Sequence, residues 1–138
     1  MDIFARKENI TEICRKLDVN FLTVFGSVGR GAANDKSDLD MAVAFPDAIS
    51  NEKRNVISLQ IYKELGDMLK RDDIEIVDVD NVNSAFLGAI ARDGKMLYEK
   101  YEGIFSRWSS FAKREYLDAQ WLRDLAFANI KKQTSTWE

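Results

Sequence analysis

Two runs suited to β-structure flank a short glycine-rich stretch, and the residues between them restrict how positions 20 to 46 can fold. The first run, Asn20-Phe21-Leu22-Thr23-Val24-Phe25, is β-branched and aromatic, and Gly26 ends it. It predicts a short buried strand that delivers Gly26-Ser27 to a turn. Ten residues separate Ser27 from Asp38, which with Asp40 opens a second strand reaching Phe45 and stopped by Pro46. Asp38, Asp40, Ala42 and Ala44 share one face of that strand; Leu39, Met41, Val43 and Phe45 share the other. The large apolar face is expected to meet the core. The carboxylate face, with only alanines beside it, is expected to leave room for a ligand.

Each part of this stretch suits a ligand that carries phosphates. A glycine-rich turn opening a short helix presents backbone N–H groups to a phosphate. Carboxylates at i and i+2 on a strand point the same way, roughly 6.6 Å apart. They suit Mg2+, which takes one or two carboxylates together with substrate phosphates. The combination points to nucleoside triphosphate chemistry. A third strand is predicted at Ile74-Glu75-Ile76-Val77-Asp78-Val79. With its isoleucines in the core, Glu75 joins Asp38 and Asp40, and three carboxylates suffice to hold two Mg2+ ions about 3.5–4 Å apart. Asp78 and Asp80 compete for that third place. Glu75 is preferred because alternation puts Asp78 on the core side or at a strand end.

The remaining segments predict helices and one more strand. Residues 3 to 17 form an amphipathic pattern with Ile3, Ile10, Ile13 and Leu17 inward, and Cys14 joins that face as a core residue rather than a nucleophile. Residues 51 to 70 form another, with Ser50 as N-cap and an apolar stripe of Val56, Leu59, Ile61, Leu65, Met68 and Leu69. A short helix over 83 to 92 and a brief strand at Met96-Leu97-Tyr98 follow. Alternating strands and helices fit an α/β (α+β) domain with a small mixed sheet flanked by helices. The tail from Tyr101 to Glu138 is helical in character and holds all three tryptophans, Trp108, Trp121 and Trp137. Its apolar stripe is too wide for one packing surface, which favours a partner protein.

Composition narrows the chemistry. A chain of 138 residues holds one domain and no second acceptor-binding domain. The absence of histidine removes Ser-His-Asp triads and His-ligated zinc. A net charge of −3, with only short basic pairs such as Lys113-Arg114 and Lys131-Lys132, argues against a direct nucleic acid substrate. A single cysteine, and no apolar span long enough for a membrane helix or signal peptide, predict a cytoplasmic protein.

The Gly26-Ser27-x10-Asp38-x-Asp40 pattern resembles the signature of the DNA polymerase β-like nucleotidyltransferase superfamily. The Gly-Ser-x-x-Arg-Gly form, the small size and the Asp-Ile-Glu-Ile-Val-Asp-Val-Asp strand look most like the minimal nucleotidyltransferase (MNT) antitoxins, which pair with HEPN-domain ribonuclease toxins. The resemblance covers about residues 5 to 100 and implies a polymerase β-like fold for a domain over 1–100; the last 38 residues carry no motif, and from its aromatic content 101–138 is expected to be a C-terminal helical extension packed on the same domain and contacting a partner. It implies that Ser27 binds the triphosphate, with the Gly26–Gly31 backbone, and that Asp38 and Asp40 hold metal. Glu75 falls where the family usually has an aspartate. Arg30 either contacts phosphate or is solvated in its loop, and Gly29 stands where the family often has alanine, a departure expected to be tolerable. The implied activity is transfer of AMP from ATP, with Mg2+ (two ions), to a tyrosine hydroxyl of the HEPN toxin, and short oligo-AMP chains can follow. Alternatives are a non-catalytic antitoxin that masks the toxin and a small-molecule nucleotidyltransferase.

Overall fold

A computed structural model describes residues 3–31 and 38–135 of the chain. Trp137, counted above in the tail, lies outside the described residues. After a 3₁₀ turn over Ile3–Arg6, helix α1 (Lys7–Leu17) leads to β1 (Phe21–Phe25), the one-turn helix α2 (Gly26–Gly29) and β2 (Leu39–Ala44). Helix α3 (Asn51–Leu69), β3 (Ile74–Asp78), α4 (Ser84–Asp93), β4 (Lys95–Glu99) and the long α5 (Ile104–Ser135) complete the described order.

The four strands lie in the order β3-β2-β1-β4. β1 runs antiparallel to both β2 and β4, whereas β2 and β3 are parallel. A parallel pair needs a crossover, and α3 supplies it. Its ends are fixed locally: the Ser50 hydroxyl accepts from the Lys53 N–H, and Lys70 closes the helix in the left-handed conformation.

Leu22, Val24, Leu39, Met41, Val43, Ile74 and Leu97 point to one side of the sheet, against Ile10 and Cys14 of α1 and Ile57, Ile61, Leu65 and Leu69 of α3. Cys14 is fully buried there, and burial pushes its thiol pKa up to about 12, so it is core and no nucleophile. The register of α3 differs from the expected stripe. Val56 and Leu59 are exposed, and the inward positions are Ile57, Ile61, Leu65 and Leu69, spaced by four along the helix. Counting apolar residues widened the stripe, because an i, i+4 row already fills the line of contact with the sheet.

The other side of the sheet carries Phe21, Phe25, Ala42 and Ala44, covered by α4 and the start of α5 through Ile90, Phe105 and Trp108. The Phe105 ring meets Phe21 edge-on at 5.1 Å between centroids, and Trp108 lies 5.2 Å from Phe21. Ala42 and Ala44 are therefore buried, and the space beside them holds aromatic rings rather than a ligand. Among the described residues, Asp38 and Glu75 at the other end of this face are exposed and Asp40 is half-buried.

Helix α5 is 32 residues long, about 48 Å at 1.5 Å per residue. Its first half is fixed to α4. The Ser109 hydroxyl donates to the Ala91 carbonyl at 3.2 Å, and a Cβ on Gly88 would stand 2.6 Å from the Tyr116 ring, so Gly88 is what lets the two helices approach. From Gln120 to Lys132 every residue is exposed, Trp121, Leu122, Leu125 and Phe127 among them.

Candidate active site

The sheet register sets the site. Asp40 pairs with Phe25 of β1 on one side and with Glu75 of β3 on the other. Directly paired residues on neighbouring strands project to the same face, so Asp40 and Glu75 stand side by side. Asp38 precedes β2 on that face, exposed like Glu75, and Asp40 is half-buried. Burial, then the charges of Glu75 and Asp38, push the Asp40 carboxyl above the usual aspartate range.

Gly26 forms the wall of this group. Its φ is +65°, and a Cβ there would lie 2.5 Å from Asp40 Oδ2. Only glycine provides both the left-handed backbone and the vacant volume. Ser27 follows as the second residue of α2, half-buried beside it, and Gly31 closes the turn with φ +74°, with nothing within 4 Å of a Cβ there among the described residues. The Arg30 N–H donates to the Gly26 carbonyl at 3.0 Å, and the Gly31 N–H to that of Val28 at 3.1 Å.

The Arg30 guanidinium turns to Asp93 at the end of α4, 3.4 Å away, and half of the Arg30 side chain is exposed. Gly29 sits so close to the Asp93 and Val24 carbonyls that a Cβ would collide with the former. Glycine in place of the family's alanine therefore suits this chain, and alanine would not fit here. The cause is the close crossing of the turn over the end of α4.

Asp78 and Asp80, the competitors for the third acidic place, are engaged elsewhere. Arg54 Nη1 lies 3.2 Å from Asp78 Oδ2 and 2.8 Å from Asp80 Oδ2. The same guanidinium donates to the Ile49 carbonyl and lies over the Phe45 ring. Asp78 also accepts from the Asp80 N–H and the Asn81 amide. Sequence reading missed Arg54 because a lone basic residue in a helix reads as solvated. The available signal was its phase: Arg54 falls on the same row as Ile57, Ile61 and Leu65.

Asp38, Asp40 and Glu75 offer only oxygen donors, the set that Mg2+ selects, and their mutual repulsion is of the kind a divalent cation relieves. The donor chemistry thus fits the metal implied by the motif. Among the described residues, no three acidic or thiol side chains converge tightly enough to enclose an ion by themselves. A site for Mg2+ completed by substrate phosphates does not require that.

A glycine turn set against paired carboxylates on a mixed sheet is the kind of arrangement that suits nucleotidyl transfer, and the chain belongs to the polymerase beta nucleotidyltransferase family, whose model matches residues 8–103. A curated relative is the protein adenylyltransferase MntA of Aphanizomenon flos-aquae (strain 2012/KM1/D3), 26% identical over 124 residues, spanning 86% of this chain and 83% of that protein. The fold is also that of a chain from a toxin–antitoxin complex with AMP-PNP (TM-score 0.70, 19% identity, 91% of this chain and 98% of that one). A chain from the complex of tri-AMPylated Shewanella oneidensis HEPN toxin with MNT antitoxin matches similarly (TM-score 0.67, 17% identity, 95% and 99%). No helix among the described residues is long and apolar enough to cross a membrane.

Proposed function

We propose that this protein is an antitoxin that acts as a protein adenylyltransferase, moving AMP from ATP to a tyrosine hydroxyl of a cognate HEPN ribonuclease toxin. The observation that carries the reading is the alignment of Asp40 with Glu75 across the parallel pair, beside a glycine turn shaped to the Asp40 carboxylate. The likeness to a named protein adenylyltransferase supports the protein acceptor. The reading places the protein in the cytoplasm, with ATP and the toxin.

Asp38, Asp40 and Glu75 would hold Mg2+, which when bound supplies neutralisation of charge on the α-phosphate and in-line orientation. The backbone N–H groups of the Gly26–Gly31 turn and the Ser27 hydroxyl hold the β- and γ-phosphates. Arg30 exchanges Asp93 for a phosphate oxygen when ATP enters. Glu75 accepts the proton of the attacking hydroxyl. A new oxygen–phosphorus bond forms at the α-phosphate, the bond to the bridging oxygen breaks, and pyrophosphate leaves. The 3′-hydroxyl of the attached AMP is then a chemically equivalent acceptor for another unit.

Residues 1–100 carry this chemistry, and the 101–138 extension carries the partner. The outer half of α5 is apolar on more than one side, since Leu117, Trp121 and Leu125 form one row while Phe127 continues the row by which Ala112 and Tyr116 meet the domain. Exposed apolar residues on more than one side of a helix favour a partner that covers them, so a protein docked along this half is the matching occupant.

The test is to mix the protein with its toxin, ATP and Mg2+ and to weigh the toxin by mass spectrometry. Mass gain in AMP increments on a tyrosine, with loss of ribonuclease activity, is expected. Neutralisation of the toxin without mass gain would instead mean masking by binding.

A further inference from the structure

Helix α4 brings an exposed aromatic ring to the side of the sheet that carries the acidic group. Phe86 lies in its first turn. The Phe86 N–H donates to Asn83 Oδ1 at 3.0 Å and the Leu87 N–H to the Asn83 carbonyl at 3.1 Å, so the start of the helix is capped and the ring is mounted on fixed backbone. Two residues on, Gly88 lies against the Tyr116 ring of α5, which holds the helix in place. The Phe86 ring stands edge-on to that of Phe25, 6.5 Å between centroids at an interplanar angle of 84°. Phe25 is buried and is the direct partner of Asp40 across the strands, so both project to one face. Phe86 itself is 44% exposed. A single edge-on contact engages one part of a ring and leaves a flat side for a second one.

The same helix reaches the glycine turn. Seven residues beyond Phe86, about 10 Å at the helical rise, Asp93 ends α4 with its carboxylate on Arg30 and its carbonyl against Gly29. One element thus borders the turn at its end and presents an exposed ring near its start, and Phe25 ties that ring to the strand paired with Asp40. A ligand with phosphates at one end and a flat aromatic group at the other matches both features. We infer that Phe86 is the stacking platform for the base of the bound nucleotide, holding it while the phosphates lie on the turn. The inference rests on the proposed placement of the triphosphate at Gly26–Gly31. A base is polar at its edges and apolar on its faces, so a ring that covers one face contributes affinity without selecting among bases by hydrogen bonds. The larger face of a purine gains more than that of a pyrimidine. An acceptor ring could also rest on Phe86, but it arrives on a partner, whereas the nucleotide is the ligand anchored at the turn that α4 borders.

The experiment is calorimetric titration of the full chain, without toxin, with ATP, CTP and inorganic tripolyphosphate, each in Mg2+. The unaltered chain is expected to bind ATP more tightly than CTP and CTP more tightly than tripolyphosphate. Phe86→Ala is expected to weaken ATP binding about ten-fold and to leave tripolyphosphate binding unchanged. Phe86→Leu keeps apolar cover over Phe25 but has no ring, so it should lose ATP affinity likewise and decides the matter if the alanine variant does not fold. Phe86→Trp is expected to match or exceed the original affinity. ATP binding at wild-type strength by Phe86→Leu would make the ring a packing residue and overturn the inference. Equal losses for ATP and tripolyphosphate would also overturn it, as a disturbance of the turn. Unchanged ATP affinity with a raised KM for the toxin would assign the ring to the acceptor instead. Because the titration needs neither toxin nor turnover, ATP stacking with no mass gain on the toxin would sink the transferase reading alone, and mass gain with Phe86 variants that bind ATP normally would sink the inference alone.

Discussion

The Asp40 carboxylate occupies the volume into which a side chain at position 26 would project: a Cβ on Gly26 would lie 2.5 Å from Asp40 Oδ2. Turn and strand are therefore fitted to each other at one atom. Gly26→Ala meets both the left-handed backbone, φ +65°, and this contact. It is expected to lose at least about 1 kcal/mol of stability and to lose transfer activity out of proportion to that, because the displaced group is the carboxylate. Urea unfolding compared with AMP transfer under native conditions checks the ratio.

Asp38→Asn with Asp40→Asn should abolish transfer without unfolding the protein. The Asp40 carboxyl is disfavoured by burial and by the charges of Glu75 and Asp38, so removing like charges should leave the melting temperature unchanged or slightly raised. Wild-type transfer from α-labelled ATP by the folded double mutant would refute the site.

Glu75→Gln and Asp78→Asn should separate activity from stability. Glu75 is exposed beside Asp40 and its loss should reduce transfer with little effect on folding. Asp78 is the partner of buried Arg54, and its amide variant is expected to cost about 1–3 kcal/mol while the remaining folded protein stays active. Turnover normalised to folded fraction decides between them, and the reverse ranking would place the third carboxylate at Asp78.

Asp93 should contribute to the acid limb of stability. Hydrogen bonds from Arg92, then the charges of Arg92 and contact with Arg30, hold its carboxyl below the usual aspartate range, against the effect of burial. A folded pKa below the unfolded one stabilises above the unfolded value, about 4, and that share is lost as pH falls toward the folded value. Asp93→Asn should therefore show a smaller drop in urea midpoint between pH 7 and pH 3. The flattening is partial, because the Asp73 carboxyl is lowered in the same direction by Arg71.

Trp121→Glu with Leu125→Glu should leave circular dichroism and melting unchanged, since both side chains are exposed, and should remove binding to the toxin in size-exclusion chromatography. Retained binding would assign the partner surface elsewhere.

The strand–turn–strand unit was legible because each of its residues reports locally: β-branched runs, a glycine, and carboxylates two apart. Glu75 was reached by alternation, and its pairing with Asp40 in the structure follows the same logic. What escaped depends on contacts between distant segments. Gly29 reads as a tolerable departure from alanine, but the reason that glycine is needed appears only when Asp93, far along the chain, is seen against it. Ala42 and Ala44 read as open floor until Phe105 and Trp108 of α5 cover that side of the sheet. Val56 and Leu59 are apolar yet out of phase with the row that meets the sheet, so composition drew them inward and geometry left them outside.

Helix α5 has a mechanical consequence that follows from its seating. Its inner half is clamped to α4 by Ser109 and by Tyr116 lying on Gly88, and α4 ends at Asp93, which holds Arg30 of the phosphate turn. The outer half continues the same helix away from that clamp, an extended arm if it stays helical. Cargo on such a spar arrives at the turn with a fixed bearing and a fixed reach, and reaction within the complex should proceed at a rate independent of dilution. A hinge engineered between Leu117 and Trp121 would convert that spar into a leash, with the reach spread over many positions and only a small share of them productive.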